Sequence, residues 1–147
     1  MSEPNVDLHE RVVAAIQARE VPEDLLAPLF RMENHVSAVT DYAYHGAMGL
    51  RDWMSDIFEV FAEGVRYEVE ELIAAEDDYV VAAFRLHGRG ARSHEPLTFR
   101  WVGVTWFRNG KATLAIGYPS LREAMEAVAA EREGAPPVAR GRPETAD

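Results

Sequence analysis

The chain has 147 residues, a formal net charge of −10 and no cysteine. Its length suits one domain with its own core, and the lack of cysteine excludes disulfides, thiolate metal sites and a cysteine nucleophile. The acidic balance argues against a nucleic-acid partner, because phosphates attract clustered Lys and Arg. No apolar run approaches the ~18 residues of a membrane span, and the polar N-terminus lacks a signal-peptide pattern. We therefore expect a soluble, cytoplasmic protein with no membrane partner.

The first part of the chain predicts two helices. Asn5 or Asp7 can cap a helix that runs to about Arg19. Pro22 begins a short second helix, because proline is favoured in the first helical turn. The apolar face of this second helix comprises Leu25, Leu26, Leu29 and Phe30.

A short strand and a third helix follow. Residues 35–40 are typical of a strand, and the helix runs from Gly49 to a C-terminal cap at Gly64. Apolar residues recur through this helix at the i, i+3, i+4, i+7 spacing of an amphipathic helix. They are Leu50, Trp53, Met54, Ile57, Phe58 and Phe61.

Four strands are predicted next, at residues 65–75, 79–87, 97–108 and 111–118. Asn109 and Gly110 separate the last two strands and tolerate the positive φ of a two-residue hairpin turn. A final helix over residues 120–130 is expected to bury Leu121, Met125 and Val128. The order α-α-β-α-β-β-β-β-α indicates an α+β domain. Residues 131–147 are poor in large apolar side chains, so we expect a flexible tail.

Three stretches of the chain resemble the nuclear transport factor 2-like superfamily, and most of all its bacterial SnoaL-like polyketide cyclase branch. They are residues 49–53, residues 69–81, and residues 105–111 with the following 122–125. The resemblance covers residues 6–130 and implies that residues 1–130 are one SnoaL-like domain. It also implies a cystatin-like cone, in which a curved mixed or antiparallel sheet wraps round helices and leaves a pocket at the open end. A homodimer through the outer sheet face is implied as well.

Residues 41–45 contain the best local candidates for catalytic groups. A carboxylate or histidine in an apolar pocket can transfer protons near neutral pH. Asp41 or His45 can move the proton, while Tyr42, Tyr44 or Tyr118 stabilises an oxyanion. The alternative is a surface loop, in which Asp41 serves only the turn.

Aromatic residues are the candidates for the pocket wall, although the same spacing also fits an ordinary core. The candidate lining residues are Tyr44, Trp53, Phe58, Phe84, His87, Trp101 and Tyr118. His87 can instead be a polar strand end that faces water, and His9 on the first helix is expected to be exposed. No carboxylate–histidine pair has the spacing of a helical metal site, so neither a metal nor a cofactor is predicted.

The sequence departs from the family pattern at three positions. The resemblance implies a histidine near Gly103, an acid near Ile116 and an aspartate near Ser120. Glycine is expected to enlarge the pocket and isoleucine to make it more apolar. These departures favour a protein that binds a hydrophobic small molecule, with a cofactor-independent cyclase or isomerase as the alternative. An epoxide hydrolase or dehydratase is less favoured, because it needs two carboxylates inside the pocket.

Overall fold

The computed structural model describes residues 3–36 and 42–132, with side chains described as far as residue 130. Six strands form one mixed sheet in the order β2-β1-β6-β5-β4-β3, accompanied by three α-helices. The elements are α1 (Glu3–Gln17), a 3₁₀ turn (Glu23–Leu25), β1 (Leu26–Asn34), β2 (Ala43–His45), α2 (Gly46–Phe58), β3 (Arg66–Ala75), β4 (Tyr79–Arg89), β5 (Pro96–Arg108), β6 (Lys111–Tyr118) and α3 (Leu121–Arg132). Strands β1 and β6 pair in parallel, and the other neighbours pair antiparallel. The predicted α+β class is confirmed.

The hairpin between β5 and β6 forms where the sequence predicts it. Asn109 has φ of 55° and Gly110 has φ of 78°, and Arg108 pairs with Lys111 across the turn. Positive φ at both turn residues matches the right-handed twist of the flanking strands, and Asn-Gly adopts it at little cost. This turn fixes the register of the two strands.

The predicted second helix is wrong. Only the 3₁₀ turn is helical there, and the chain continues as the nine-residue strand β1. The leucine spacing fits a helix, but Leu29 is 91% exposed instead of buried. Pairing with two neighbouring strands makes this segment a strand. Met32, for example, pairs with Tyr44 of β2 on one side and with Ala115 of β6 on the other. The strand predicted at residues 35–40 is not found at residues 35 and 36, because β1 has already ended at Asn34. Residues 37–41 lie outside the described part of the chain.

The two faces of the sheet carry different helices. Helices α1 and α2 pack on one face, here called the α1/α2 face, over a core that includes Leu50, Phe84 and Leu86. Helix α3 packs on the opposite face, here called the α3 face. Its contact is made through Ala124 and Val128, so the expected burial of Val128 is confirmed.

Two other expectations for the C-terminal helix are wrong. Leu121 and Met125 are 45% and 39% exposed, because the small side chain of Ala124 faces the sheet instead. The helix extends to Arg132, so it includes the first two residues of the predicted tail. The rest of that tail, residues 133–147, lies outside the described residues. Within the described ranges, no helix is long and apolar enough to cross a membrane.

Candidate functional site

Two adjoining cavities lie on the α1/α2 face. The inner cavity has a volume of about 60 Å³, and the outer cavity has a volume of about 240 Å³. Met32, Trp53 and Trp101 border both cavities. The inner cavity reaches His9 of α1, while the outer cavity reaches Val36, two residues after the end of β1. Both cavities are lined mainly by apolar side chains of the sheet and the two helices.

Stacked aromatic rings build the wall of this space. Phe84 and Trp101 pair directly across β4 and β5, and their ring centroids lie 5.4 Å apart at 10°. Tyr67 of β3 continues the stack at 5.7 Å from Phe84. Trp53 of α2 meets Trp101 edge-on, with centroids 6.4 Å apart. The structure therefore brings three of the predicted lining residues, Trp53, Phe84 and Trp101, to one cavity wall.

Glycines make the close packing of these rings possible. A Cβ at Gly103 would lie 2.8 Å from Cε2 of Phe84, and one at Gly117 would lie 3.2 Å from Cδ1 of Trp101. Gly103 borders the inner cavity, and the ring of Phe84 occupies the space that a side chain at this position would take, so its effect on the size of the pocket stays a prediction. Ile116 borders the inner cavity and belongs to the apolar cluster on the α3 face. Ser120 caps α3, since its Oγ accepts a hydrogen bond from the Glu123 amide at 3.2 Å.

Two other predicted lining residues lie beside the cavities. Phe58 packs edge-on against Trp53. The guanidinium carbon of Arg19 lies 3.6 Å from the centroid of the Phe58 ring. Phe58 thus supports the cavity wall from behind. Tyr44 is buried, and its hydroxyl donates a 2.7 Å hydrogen bond to Oδ2 of Asp56 on α2. This bond ties β2 to α2 next to a separate surface groove.

A polar cluster around the buried side chain of Glu33, here called the Glu33 cluster, lies on the α3 face. It consists of Arg31, Glu33, His35, Tyr42 and Tyr118. The Glu33 side chain has no exposed surface, and its carboxylate lies 2.7 Å from Arg31 Nε and 3.1 Å from His35 Nε2. The Tyr42 hydroxyl lies 3.0 Å from His35 Nε2, and the His35 ring lies 5.1 Å from that of Tyr118.

The electrostatics of the Glu33 cluster follow from these contacts. Burial alone raises the pKa of the Glu33 carboxyl, but hydrogen bonds and charge from His35 and Arg31 outweigh it and hold the pKa below its usual range. Burial, with the nearby Glu33 charge, raises the pKa of the Tyr118 hydroxyl. Arg31 Nη1 also lies 3.2 Å from His45 Nε2. Tyr42, His45 and Tyr118 are therefore brought together, but on the sheet face opposite the aromatic wall.

The remaining predicted site residues do not join either group. His87 lies on the α3 face of β4, with Nε2 3.3 Å from Glu68 Oε2. Arg66, Arg85 and His87 lower the pKa of Glu68 to about 2. Asp41 lies outside the described residues. Sequence reasoning missed Arg31, Glu33 and His35, although polar residues at every second position are the signal of one strand face. The helical interpretation of the preceding segment hid that alternation.

His9 is a further residue of the site, and the expectation that it is exposed is wrong. It is 5% exposed, borders the inner cavity, and its ring lies 5.7 Å from that of Phe84. Asn5, one helical turn earlier, donates hydrogen bonds to the backbone carbonyls of Glu76 and Asp77 at 2.9 and 2.8 Å. These bonds hold α1 with His9 turned inward. Burial lowers the pKa of His9 to about 4, so the imidazole is neutral at neutral pH.

Comparison with known proteins identifies the family. The SnoaL-like domain model matches residues 9–115. No curated protein matches the chain. Structural relatives include TerC crystallised with polyporic acid (18% identity, 84% of this chain and 97% of TerC, TM-score 0.66). Two others are a nuclear transport factor 2-like protein of unknown function from Burkholderia pseudomallei (20% identity, 86% and 97% coverage, TM-score 0.65) and a proposed SnoaL-like polyketide cyclase from Jannaschia (21% identity, 88% and 96% coverage, TM-score 0.60). The chain belongs to the SnoaL-like domain family and has the nuclear transport factor 2-like fold.

Proposed function

We propose that the protein binds a flat, predominantly apolar small molecule in the inner and outer cavities. The aromatic wall carries this proposal, since it offers ring faces and edges to a planar ligand. Among the described residues that line the inner cavity, none is Asp, Glu, Lys or Arg. Arg100 borders the outer cavity, but its Nε lies 3.4 Å from the Glu70 carboxylate.

The Glu33 carboxylate is poorly suited to act on a molecule in these cavities. Glu33 borders the outer cavity, yet its side chain has no exposed surface, and Arg31 and His35 hold both carboxylate oxygens. Apolar contact is therefore the main source of affinity, at about 25 cal/mol per Å² of buried surface. TerC, crystallised with polyporic acid, supports a small-molecule role for a protein of this fold.

Replacing Met32 with tryptophan should block ligand binding. Met32 borders both cavities, so the larger indole is expected to occupy their junction. The probe is 2-methylnaphthalene, and equilibrium dialysis measures its binding. We expect saturable binding to the wild type and at least about tenfold weaker binding to Met32→Trp, which corresponds to about 1.4 kcal/mol.

The matched control is Met48→Trp, because Met48 is 61% exposed on α2 and borders neither cavity. This variant should bind like the wild type. Equal effects of the two substitutions, or no saturable binding to the wild type, would contradict the proposal.

A second candidate function is a cofactor-independent isomerase or cyclase that moves a proton next to a carbonyl group. The position of His9 favours it, because a buried imidazole that is neutral at neutral pH can act as a general base. Thr105 and Tyr67 also border the inner cavity and carry hydroxyl groups able to donate to a developing oxyanion.

Proton abstraction can be tested with 2-tetralone, a planar ketone with acidic α-hydrogens. If His9 is the base, the wild type should accelerate exchange of these hydrogens for deuterium in D₂O. His9→Leu should lose about 100-fold or more of that acceleration, the usual contribution of a general base. Proton NMR follows the exchange. No acceleration by the wild type beyond buffer, or equal acceleration by both proteins, excludes His9 as the base.

The predicted homodimer would form through the part of the α3 face that helix α3 does not cover. Strands β3 to β5 carry ion pairs there. Arg85 contacts Glu68 at 3.1 Å and Glu70 at 3.4 Å. These charged groups support a polar contact between two copies, rather than a continuation of either apolar core.

A further inference from the structure

His9 is a polar group in a place where burial is costly. Its residue exposure is 5%, and among the described residues it makes a ring contact with Phe84 and no hydrogen bond. The fully buried side-chain nitrogens without a hydrogen-bond partner in the described residues belong to Arg85, His87 and Trp106, so the ring nitrogens of His9 keep access to the space around them. A ring nitrogen with such access can form a hydrogen bond with a partner that is not part of the protein.

The location of His9 gives its ring access from two sides. On one side it borders the inner cavity, together with Phe84 and Thr105. On the other side it borders a surface groove of about 450 Å³ between α1 and β3, whose wall includes Glu10 and Glu68. A ring nitrogen that faces the groove can bond to water, and a ring nitrogen that faces the inner cavity can bond to a ligand there. The geometry thus leaves one hydrogen-bonding position for a ligand.

The chemistry of the inner cavity restricts that ligand group. A neutral imidazole presents one acceptor nitrogen and one N–H donor. The described lining residues include no Lys or Arg to neutralise a carboxylate or phosphate, and no Asp or Glu to neutralise an ammonium group. A neutral hydroxyl is compatible with this surface, since it can donate to the imidazole without bringing a charge into the cavity.

We propose that His9 is the polar recognition residue of the cavities and accepts a hydrogen bond from a phenol or enol hydroxyl at the leading end of an aromatic ligand. This inference rests on the proposed function, because it requires the ligand to occupy the two cavities. The ligand ring lies against Trp53 and Trp101, and its hydroxyl reaches the inner cavity. The ligand class is therefore hydroxylated aromatic compounds, as opposed to aromatic acids or amines.

A pair of matched probes tests the proposal. Equilibrium dialysis measures binding of 2-naphthol and 2-methylnaphthalene, which differ by a hydroxyl in place of a methyl group. His9→Leu should weaken 2-naphthol binding about fivefold or more, as expected for one lost hydrogen bond. It should change 2-methylnaphthalene binding by less than about twofold. His9→Gln keeps a hydrogen-bond acceptor and should recover part of the affinity for 2-naphthol.

A spectroscopic measurement separates recognition from a purely structural role. The ¹⁵N resonance of the acceptor nitrogen of His9 should shift when 2-naphthol binds and remain in place with 2-methylnaphthalene. Equal weakening of both probes by His9→Leu would overturn the inference while leaving the proposed function intact. No binding of either probe to the wild type would overturn the proposed function and the inference together. Circular dichroism confirms that each variant is folded.

Discussion

Replacing Arg31 with leucine is expected to lower the free energy of unfolding by about 3–5 kcal/mol at neutral pH. Arg31 Nε lies 2.7 Å from a Glu33 carboxylate that has no exposed surface. Without the guanidinium, the carboxylate stays buried with less compensation, and desolvation of that charge dominates. Urea denaturation measures the change.

The control is another arginine on the sheet. Arg100 is 61% exposed, and its ion pair with Glu70 spans 3.4 Å. Arg100→Leu should therefore change the free energy of unfolding by only about 0–1 kcal/mol. The double variant Arg31→Leu with Glu33→Leu removes both charges and should recover most of the loss. An Arg31→Leu variant as stable as Arg100→Leu would contradict the role assigned to the Glu33 cluster.

The same cluster gives a pH dependence with a definite sign. The folded-state pKa of Glu33 lies below its usual value, despite burial, because of His35 and Arg31. Its contribution to stability is therefore complete above the unfolded-state pKa of about 4.3 and is lost as the pH falls through the folded-state value. The difference in unfolding free energy between wild type and Arg31→Leu should narrow in acid. A difference in unfolding free energy that stays constant down to about pH 3 would contradict this contribution of the Glu33 carboxylate.

Replacing Trp53 with alanine should have the second large effect, on stability and on ligand binding together. Trp53 is 6% exposed, and loss of a buried tryptophan costs about 3–5 kcal/mol. Because Trp53 borders both cavities, its loss should also weaken binding of 2-methylnaphthalene about tenfold or more. Denaturation and equilibrium dialysis measure the two effects separately.

Trp106 provides the matched control. It is also 6% exposed, but it belongs to the apolar cluster on the α3 face and borders neither cavity. Trp106→Ala should destabilise the protein to a similar degree without changing the affinity. If an alanine variant does not fold, Trp53→Leu and Trp106→Leu allow the same comparison. A similar loss of affinity in both variants would show that general loosening of the fold causes it.

The candidate site was partly predictable from the sequence. Trp53, Phe84 and Trp101 were expected at the pocket, and an amphipathic helix and two alternating strands bring them there. Tyr42, His45 and Tyr118 were expected in the same place, yet they lie around Glu33 on the opposite face. Alternation along a strand places residues on one of two faces, but it does not reveal which face the helices cover.

For helix α1, the sequence likewise does not reveal whether His9 faces the core or the solvent. The buried positions of α1 follow a helical spacing and include Asn5, His9, Val13 and Ile16. Hydrophobicity alone assigns the apolar members to the core and leaves a histidine ambiguous. The orientation of α1 depends on the bonds from Asn5 to the Glu76 and Asp77 carbonyls, which lie far away in the chain.

The sequence by itself determined strands β3 to β6, the family and the presence of helix α2. The predicted end of α2 is wrong, because the helix stops at Phe58 with Glu59 as its C-cap and does not reach Gly64. Those elements depend on local signals: turn residues with positive φ, strand alternation and helical periodicity between neighbours in the chain. Only the tertiary structure decided that residues 26–34 form a strand, which face holds the Glu33 cluster, and that His9 is buried. The physical reason is contact between segments distant in sequence. Parallel pairing of β1 with β6 overrides the helical spacing of the leucines, and the bonds from Asn5 to the Glu76 and Asp77 carbonyls orient α1.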